Sequence, residues 1–328
     1  MDSGVDEVMS VGGVLNVLKP PGMTSHDVVA FARRITRIRR VGHTGTLDPG
    51  AAGVLPLCLG KATRIAEYLT AVEKTYRVEA TFGVSTSTDD SSGGIIGESD
   101  ASFVAEGALR EALAGLKGEI LQRVPPLSAK KYRGVRSYDV VRAGGEPRSL
   151  TATVSIYDIC LVSFAPGWRC VAVFDVTCSS GTYVRTICSD IGRILGCGGF
   201  MSFLLRTAAG GFGVGSSLTL EELVEAVGRG QLGDVAITMS GALGFMRGFV
   251  LSEGASERLS HGNPARGEDI VGIVEPSAGP LRLRPKGGEG RPLVRLLDPR
   301  GRLLAVARCT FDGESPREFS LEKVIAGV

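Results

Sequence analysis

The stretch "KTYRVEATFGV", residues 74–84, sets Tyr76, Val78, Ala80, Phe82 and Val84 on one face, and that alternation fits a half-buried strand. Further along, "GTYVRTICSDIGRIL" changes period: Val184, Ile187, Ile191 and Ile194 recur at helical spacing. Residues 151–163 and 169–178 read as two strands joined by a turn at Pro166 and Gly167, and "GVLNVLKP" reads as a short strand ended by Pro20 and Pro21. "TSHDVVAFARRI" predicts a helix with Thr24 or Ser25 as N-cap and Val28, Val29, Ala32 and Ile35 facing inward. "KATRIAEYLTA" predicts a second helix, and Leu109, Leu113 and Leu116 mark another. Thr219 and Glu222 form a capping box that opens "LEELVEAV". Strands and helices in mixed order, with hairpins, predict an α+β fold rather than a βαβ repeat.

Composition shifts near Gly241. Beyond it, short strands alternate with Gly, Pro and Asp-Pro turns, which predicts a small all-β domain of roughly 80 residues. Residues 276–292, rich in Gly, Pro and Arg, read as a loop or insertion. The expected division is a tail over 1–11, a catalytic domain over 12–240 and a β domain over 241–328.

With 43% hydrophobic and 22% charged residues the chain is ordinary for a globular enzyme, which argues against disorder. No apolar run approaches the ~20 residues of a membrane span, and the acidic start "MDSGVDEVMS" does not read as a secretory signal. Seven cysteines without a CxxC pair predict reduced, largely buried thiols and a cytoplasmic setting. Net charge is only +2, yet Arg33, Arg34, Arg37, Arg39 and Arg40 cluster, and residues 117–148 hold eight basic side chains against three acidic ones. Such concentrations fit a solvated helix face or an anionic polymer as ligand.

Between Asp27 and Glu67 the chain holds one acid, Asp48, inside "VGHTGTLDPGAAGVLPLCLGKATR". A Walker loop is excluded, because Leu55 stands where its first glycine belongs and Ala62 follows Lys61. Three scattered histidines, His26, His43 and His261, offer no metal-binding spacing. An Asp before Pro is an ordinary turn residue. Gly42, Gly45, Gly50 and Gly53 nevertheless allow close backbone approach, and the apolar run 54–59 can fix the loop to a core. A carboxylate that must stay ionised in a dry pocket needs a cation beside it, and Arg185, in the first turn of a predicted helix, is a candidate, as it is for a surface salt bridge.

The loop resembles the signature of the TruB family, the tRNA pseudouridine-55 synthases. "GVLNVLKPPGMTS", "KTYRVEATFGVSTSTDD", "PPLSAKKYRGVRSYDVVRAGG", "CSSGTYVRTICSDIG" and "LLRTAAGGF" follow in the family's order, densely over residues 12 to about 225. The resemblance implies a mixed, largely antiparallel sheet with flanking helices and a C-terminal PUA-like RNA-binding domain. It implies Asp48 as catalytic carboxylate, Tyr76 stacking on the target base, and Arg185 paired with the aspartate. By the same resemblance His43 sits against the target loop and fills space left by the flipped nucleotide, Tyr183 is the active-site tyrosine, Leu204 belongs to the uridine pocket, and Lys19 with Pro20 lies near the site. Leu205 departs from the pattern, since the family commonly carries two arginines after the leucine matched by Leu204. Implied partners are tRNA, through its T-arm stem-loop, and no membrane; no cofactor or metal is implied, and the expected state is a monomer. Two rivals stand beside this reading. A glycosidase needs a second carboxylate roughly 5–5.5 Å from the first, and the Asp48 motif offers none. An RNA chaperone would need the basic surface but not Asp48, Tyr76 and Arg185 together.

Overall fold

The computed structural model describes residues 12–125, 131–132, 135–136, 150–277, 281–282, 291–313 and 315–325. The tail over 1–11, most of the basic stretch from Lys117 to Arg148, and much of the 276–292 loop lie outside them.

Along the chain come β1 (Gly13–Lys19), α1 (Ser25–Thr36), β2 (Val41–His43), β3 (Ala52–Leu59), a 3₁₀ turn (Gly60–Ile65) and α2 (Ala66–Ala71). Next are β4 (Lys74–Phe82), β5 (Val84–Thr86), β6 (Ile95–Glu98), α3 (Glu106–Ala114) and β7 (Gly118–Arg123). β8 (Lys131–Tyr132), β9 (Val135–Arg136), β10 (Thr151–Ala165), β11 (Cys170–Cys178), α4 (Val184–Leu195) and β12 (Gly199–Ala209) follow. Then come β13 (Phe212–Gly213), α5 (Leu220–Gly228), α6 (Leu232–Val235), β14 (Ile237–Thr238) and α7 (Met239–Ala242). The last elements are β15 (Arg247–Leu251), α8 (Glu253–Ser260), β16 (Ile270–Val274), β17 (Leu293–Leu297), β18 (Leu303–Asp312) and β19 (Ser315–Val324). The fold is α+β, with a C-terminal all-β sheet, as the sequence predicts.

Contacts group the chain into two compact units. One holds the residues up to Asp48, Gly53–Val72 and those from Ala209 on; the other holds Pro49–Ala52 and Glu73–Ala208.

In the first unit β1 runs antiparallel to β3, from Gly13 opposite Leu59 to Lys19 opposite Gly53, and β14 and β2 flank them. Thr24 caps α1 with a capping box, its hydroxyl taking the Asp27 N–H while Asp27 takes the Thr24 N–H. Helix α1 lays Val28, Val29 and Ala32 on Leu15, Val17, Leu55 and Leu57, in a core shared with Leu223 and Leu232. Ile35, predicted inward, is only half-buried. The opposite faces of β1 and β3 give Val14, Val54 and Cys58 to a second core with Leu69, Leu243, Met246, Leu297, Val306 and Ile325. A separate sheet, in the order β16-β15-β17-β18-β19, therefore begins within the expected 241–328 segment, while packing joins that segment to residues near the N-terminus.

In the second unit the strand order is β12-β4-β11-β10-β7, antiparallel from β4 to β7. Burial alternates along β4 and β11, so Tyr76, Val78, Ala80 and Phe82 meet Cys170, Ala172, Phe174 and Val176 on one face. On α4, Val184, Ile187 and Ile191 are buried, but Ile194 is 53% exposed, contrary to its predicted place in the apolar stripe. The last turn of α4 emerges from the unit, and its period carries Ile194 out with Arg193. "KATRIAEYLTA" is part 3₁₀ and only its second half is α-helix.

Six of the seven cysteines are buried and Cys160 is exposed. Burial pushes the Cys58 and Cys178 thiols up to about 12, so neither is a nucleophile at neutral pH. Among the described residues no helix is long and apolar enough to cross a membrane.

Leu297→Ala opens a cavity in the core that joins β1 and β3 to the C-terminal sheet. It should cost roughly 2–5 kcal/mol in urea unfolding and speed amide exchange in β1 and β3 as well as in β17. Exchange accelerated only within β15–β19 would contradict a shared core.

Candidate active site

The first unit carries Lys19, His43 and Asp48. Lys19 ends β1, and its fully buried ammonium donates to the Pro20 carbonyl at 2.9 Å. That bond offsets part of the cost of burying the amine and fixes the turn at "KPPG". His43 ends β2 opposite Leu57. Its Nδ1 accepts the Gly45 N–H at 3.3 Å, so the neutral ring carries its hydrogen on Nε2, and His26 meets the ring edge-on at 5.4 Å.

Helix α1 holds the loop that follows. The Ser25 hydroxyl, 1% exposed, accepts the Leu47 N–H at 2.9 Å and donates to the Leu47 carbonyl at 3.2 Å. Both backbone groups of Leu47 are thus tied to one side chain, and the Leu47 side chain is buried. Asp48 is the next residue, half-buried, on backbone that this clamp leaves little freedom to move. Of the four glycines, Gly45 (φ 144°) and Gly53 (φ 118°) occupy backbone that disfavours other residues, whereas Gly42 and Gly50 have ordinary space for a side chain. The buried Thr44 hydroxyl finds no partner among the described residues, an arrangement that costs about 1–3 kcal/mol unless water or a ligand meets it.

The second unit carries Tyr76, Tyr183, Arg185 and Leu204. Tyr76, buried to 9% exposure, lies opposite Val176. Tyr183 precedes α4; its N–H donates to Gln122 Oε1 at 2.8 Å, and its carbonyl accepts from Gln122 Nε2 at 3.0 Å. Gln122, fully buried on β7, thereby fixes the entry to α4 with both ends of its amide. Arg185, in the first turn, is 6% exposed, donates to the Thr88 carbonyl at 3.4 Å and lies 3.6 Å from Asp90 Oδ2.

Asp90 is the residue that sequence reasoning missed, since the sequence alone places it with Asp89 in a polar loop. Its Oδ1 accepts from the Thr88 hydroxyl (2.6 Å), the Ser92 N–H (2.9 Å) and the Ser92 hydroxyl (2.5 Å). Asp89 sits at φ 59° and pairs with Arg123 at 2.7 Å. The signal was the spacing Thr88-x-Asp90-x-Ser92, which closes a turn on one carboxylate.

Leu204 and Arg206 share the buried face of β12, with 5% and 1% exposure, while Leu205 is half-buried on the other face. Lys74 likewise stands two residues before Tyr76 on one face of β4. Burial, with the charge of Arg206 adding to it, brings the Lys74 amine down to about 7, so it can gain or lose a proton at neutral pH. Among the described residues no group of three or more His, Cys, Asp or Glu is placed to hold a metal.

Two family models match in succession: the N-terminal domain of TruB family pseudouridylate synthase over residues 33–184, and the C-terminal domain of tRNA pseudouridylate synthase B over 185–236. The tRNA pseudouridine synthase B of Pelotomaculum thermopropionicum is 43% identical over 317 residues, 96% of this chain and 95% of that protein. This chain belongs to the TruB family of pseudouridine synthases. Another relative, tRNA pseudouridine synthase B of Alkaliphilus oremlandii, is 38% identical over 306 residues, 93% of this chain and 100% of that one. Among solved structures, a Cbf5-Nop10-Gar1 complex matches with a TM-score of 0.73 and 26% identity, covering 98% of this chain and 87% of that one. An H/ACA RNP bound to a substrate RNA containing 2'-deoxyuridine matches at 0.72 and 25%, with the same coverage. The TruB-family chain is thus an RNA-binding isomerase that makes pseudouridine in tRNA.

Lys74 yields a test of its burial. The unfolded chain binds its proton up to about pH 10.5 and the folded chain only to about 7, so stability rises with pH across that window. Lys74→Met should exceed the wild type in stability by a few kcal/mol at pH 6, and the gap should shrink toward pH 10. Urea unfolding at four pH values checks this; a gap independent of pH would contradict the buried, depressed amine.

Proposed function

We propose that this enzyme isomerises uridine-55 in the T loop of tRNA, with Asp48 as its catalytic carboxylate. The observation that carries the reading is the reciprocal Ser25–Leu47 clamp, which fixes the backbone next to the single acid of the signature loop. Such fixing is what a carboxylate needs if it is to meet a reacting carbon without reorganisation.

The reaction breaks the N1–C1′ bond of uridine, turns the base and joins C5 to C1′. C5 gives up its proton and N1 gains one, so atoms balance without oxidant, nucleotide or metal. A uridine inside a folded loop must first be turned out of its stack. Tyr76 then supplies an aromatic face for the detached base, and Leu204 closes the apolar pocket around it. Arg185 keeps the carboxylate ionised against desolvation, and Tyr183 serves as the active-site tyrosine that binds the substrate. His43 fills the place of the displaced nucleotide in the target loop, and Lys19 holds the turn near the site. Residues 241–328 serve as a PUA-like RNA-binding module, with exposed arginines that can reach phosphates. The reading includes a monomer that works in the cytoplasm on the T-arm stem-loop. The folding-helper alternative requires RNA affinity alone, whereas the clamp and the burial of Tyr76 and Arg185 go beyond what affinity needs.

Incubation with an unmodified tRNA transcript, followed by position-resolved mapping, should show pseudouridine at position 55. Modification confined to another position would overturn the site assignment. Asp48→Asn should abolish turnover while leaving the Kd for tRNA within several-fold of wild type, because affinity comes mainly from phosphate contacts. Near-wild-type product formation by that variant would remove Asp48 from the chemistry.

A further inference from the structure

Pseudouridine formation removes a proton from C5 of the base and places one on N1, so a group that both accepts and gives a proton must stand near the base. Lys74 opens β4 and is buried to 5% exposure. It shares one face of the strand with Tyr76, two residues on, and that spacing sets the roots of the two side chains about 7 Å apart. Cys178 of β11 lies opposite Lys74, as Val176 lies opposite Tyr76. On the other side β12 adjoins β4, and the Thr207 hydroxyl donates to the Thr75 carbonyl at 3.2 Å, which brings Arg206 alongside Lys74. Arg206 shares the buried face of β12 with Leu204. The amine thus belongs to the same patch of sheet as the aromatic face and the leucine proposed to hold the base.

That patch also sets the chemistry of the amine. Burial, and after it the charge of Arg206, bring Lys74 down to about 7 against a smaller opposing effect of Cys178. The Cys178 thiol is itself pushed up to about 12 by burial and stays protonated near neutrality, and an arginine holds its charge. Of these three groups Lys74 is the one that changes state near pH 7. An ordinary lysine would be an ammonium there, with no lone pair to accept a proton. An amine poised close to the working pH can take a proton and release it again.

We infer that Lys74 carries the proton from C5 to N1 in the closing step of the reaction. Once C5 has joined C1′, it bears both its hydrogen and the new bond, and a double bond stands between N1 and C6. The neutral amine takes the hydrogen as a proton. The C5–H electron pair then forms the C5–C6 double bond, the N1–C6 pair moves onto N1, and N1 takes the proton from the ammonium. Lys74 ends as the amine it began as, and no further reactant is consumed. One amine can serve both atoms because C5 and N1 are each bonded to C6. The charge of Arg206 disfavours the ammonium, so the proton is passed on rather than kept. The inference rests on the pocket roles proposed for Tyr76 and Leu204 and is independent of how Asp48 opens the reaction.

The test uses Lys74→Met, which relieves the burial of a charge and so folds, and Lys74→Arg, which keeps the charge but holds its proton. Single-turnover rates are measured across neutral pH on a saturating T-arm stem-loop that carries uridine or 5-deuterouridine at the target position. The wild-type rate should rise with pH to a plateau above about 7. Both variants should be slower by about 100-fold or more and lack that rise. Both should also show a larger deuterium isotope effect than wild type, because breaking the C5–H bond then limits the rate. A wild-type rate in Lys74→Met would overturn the inference. So would a near-wild-type rate in Lys74→Arg, since charge alone would then suffice, and a slow Lys74→Met with an unchanged isotope effect would make the residue structural. Tyr76→Leu separates this inference from the reading beneath it. An inactive Tyr76→Leu beside an unimpaired Lys74→Met would remove the proton role alone, whereas wild-type turnover by Tyr76→Leu would remove the pocket and the proton role with it.

Discussion

The Ser25 hydroxyl is a small group on which the placement of the loop bearing Asp48 depends. It sits in the first turn of α1, directly after the Thr24 cap, and holds both backbone groups of Leu47. The helix can serve as an anchor because its own apolar face is committed to β1 and β3 through Val28, Val29 and Ala32. The chain of causes runs from cap to helix, from helix to core, and from core to a loop whose next residue is Asp48. A loop held only at its ends would sample many positions for that carboxylate.

The second unit meets a comparable demand with charge. A guanidinium at 6% exposure is expensive to bury unless oxygens surround it. The Thr88–Ser92 turn supplies them, with the Thr88 carbonyl and the Asp90 carboxylate turned toward Arg185. Asp90 is itself steadied by three donors from Thr88 and Ser92, so the acceptor does not depend on the arginine alone for its position. Gln122 contributes from β7 by closing both backbone groups of Tyr183. One turn and one strand thus converge on the first turn of one helix.

Most elements with strict period were legible in the sequence. The alternation of β4, the N-cap at Thr24 or Ser25 and the capping box at Thr219 are local signals, and local signals survive folding. Ile194 was misplaced because periodicity says which face is apolar but not where a helix leaves its unit. Lys74 and Arg206 carry charge in a polar-looking sequence, and only the register of β4 and β12 shows them buried. Asp90 escaped for the same reason, since its meaning comes from Arg185, far along the chain. The composition shift near Gly241 precedes β15, where a separate sheet begins, but no composition reveals that Leu297, Val306 and Ile325 pack into the core of β1 and β3. The signature loop itself was identifiable by resemblance, whereas its fastening to Ser25 was not visible before the fold.

If the loop bearing Asp48 works because α1 holds it, loosening that hold must slow the chemistry without weakening the grip on RNA. The most direct measurement is the single-turnover rate of Ser25→Ala on a saturating T-arm stem-loop, with the Kd for the same RNA measured beside it. A rate loss of tenfold or more is expected, with Kd unchanged within about threefold, because the variant loosens the loop without touching phosphate contacts. A wild-type rate in a folded Ser25→Ala enzyme would contradict it.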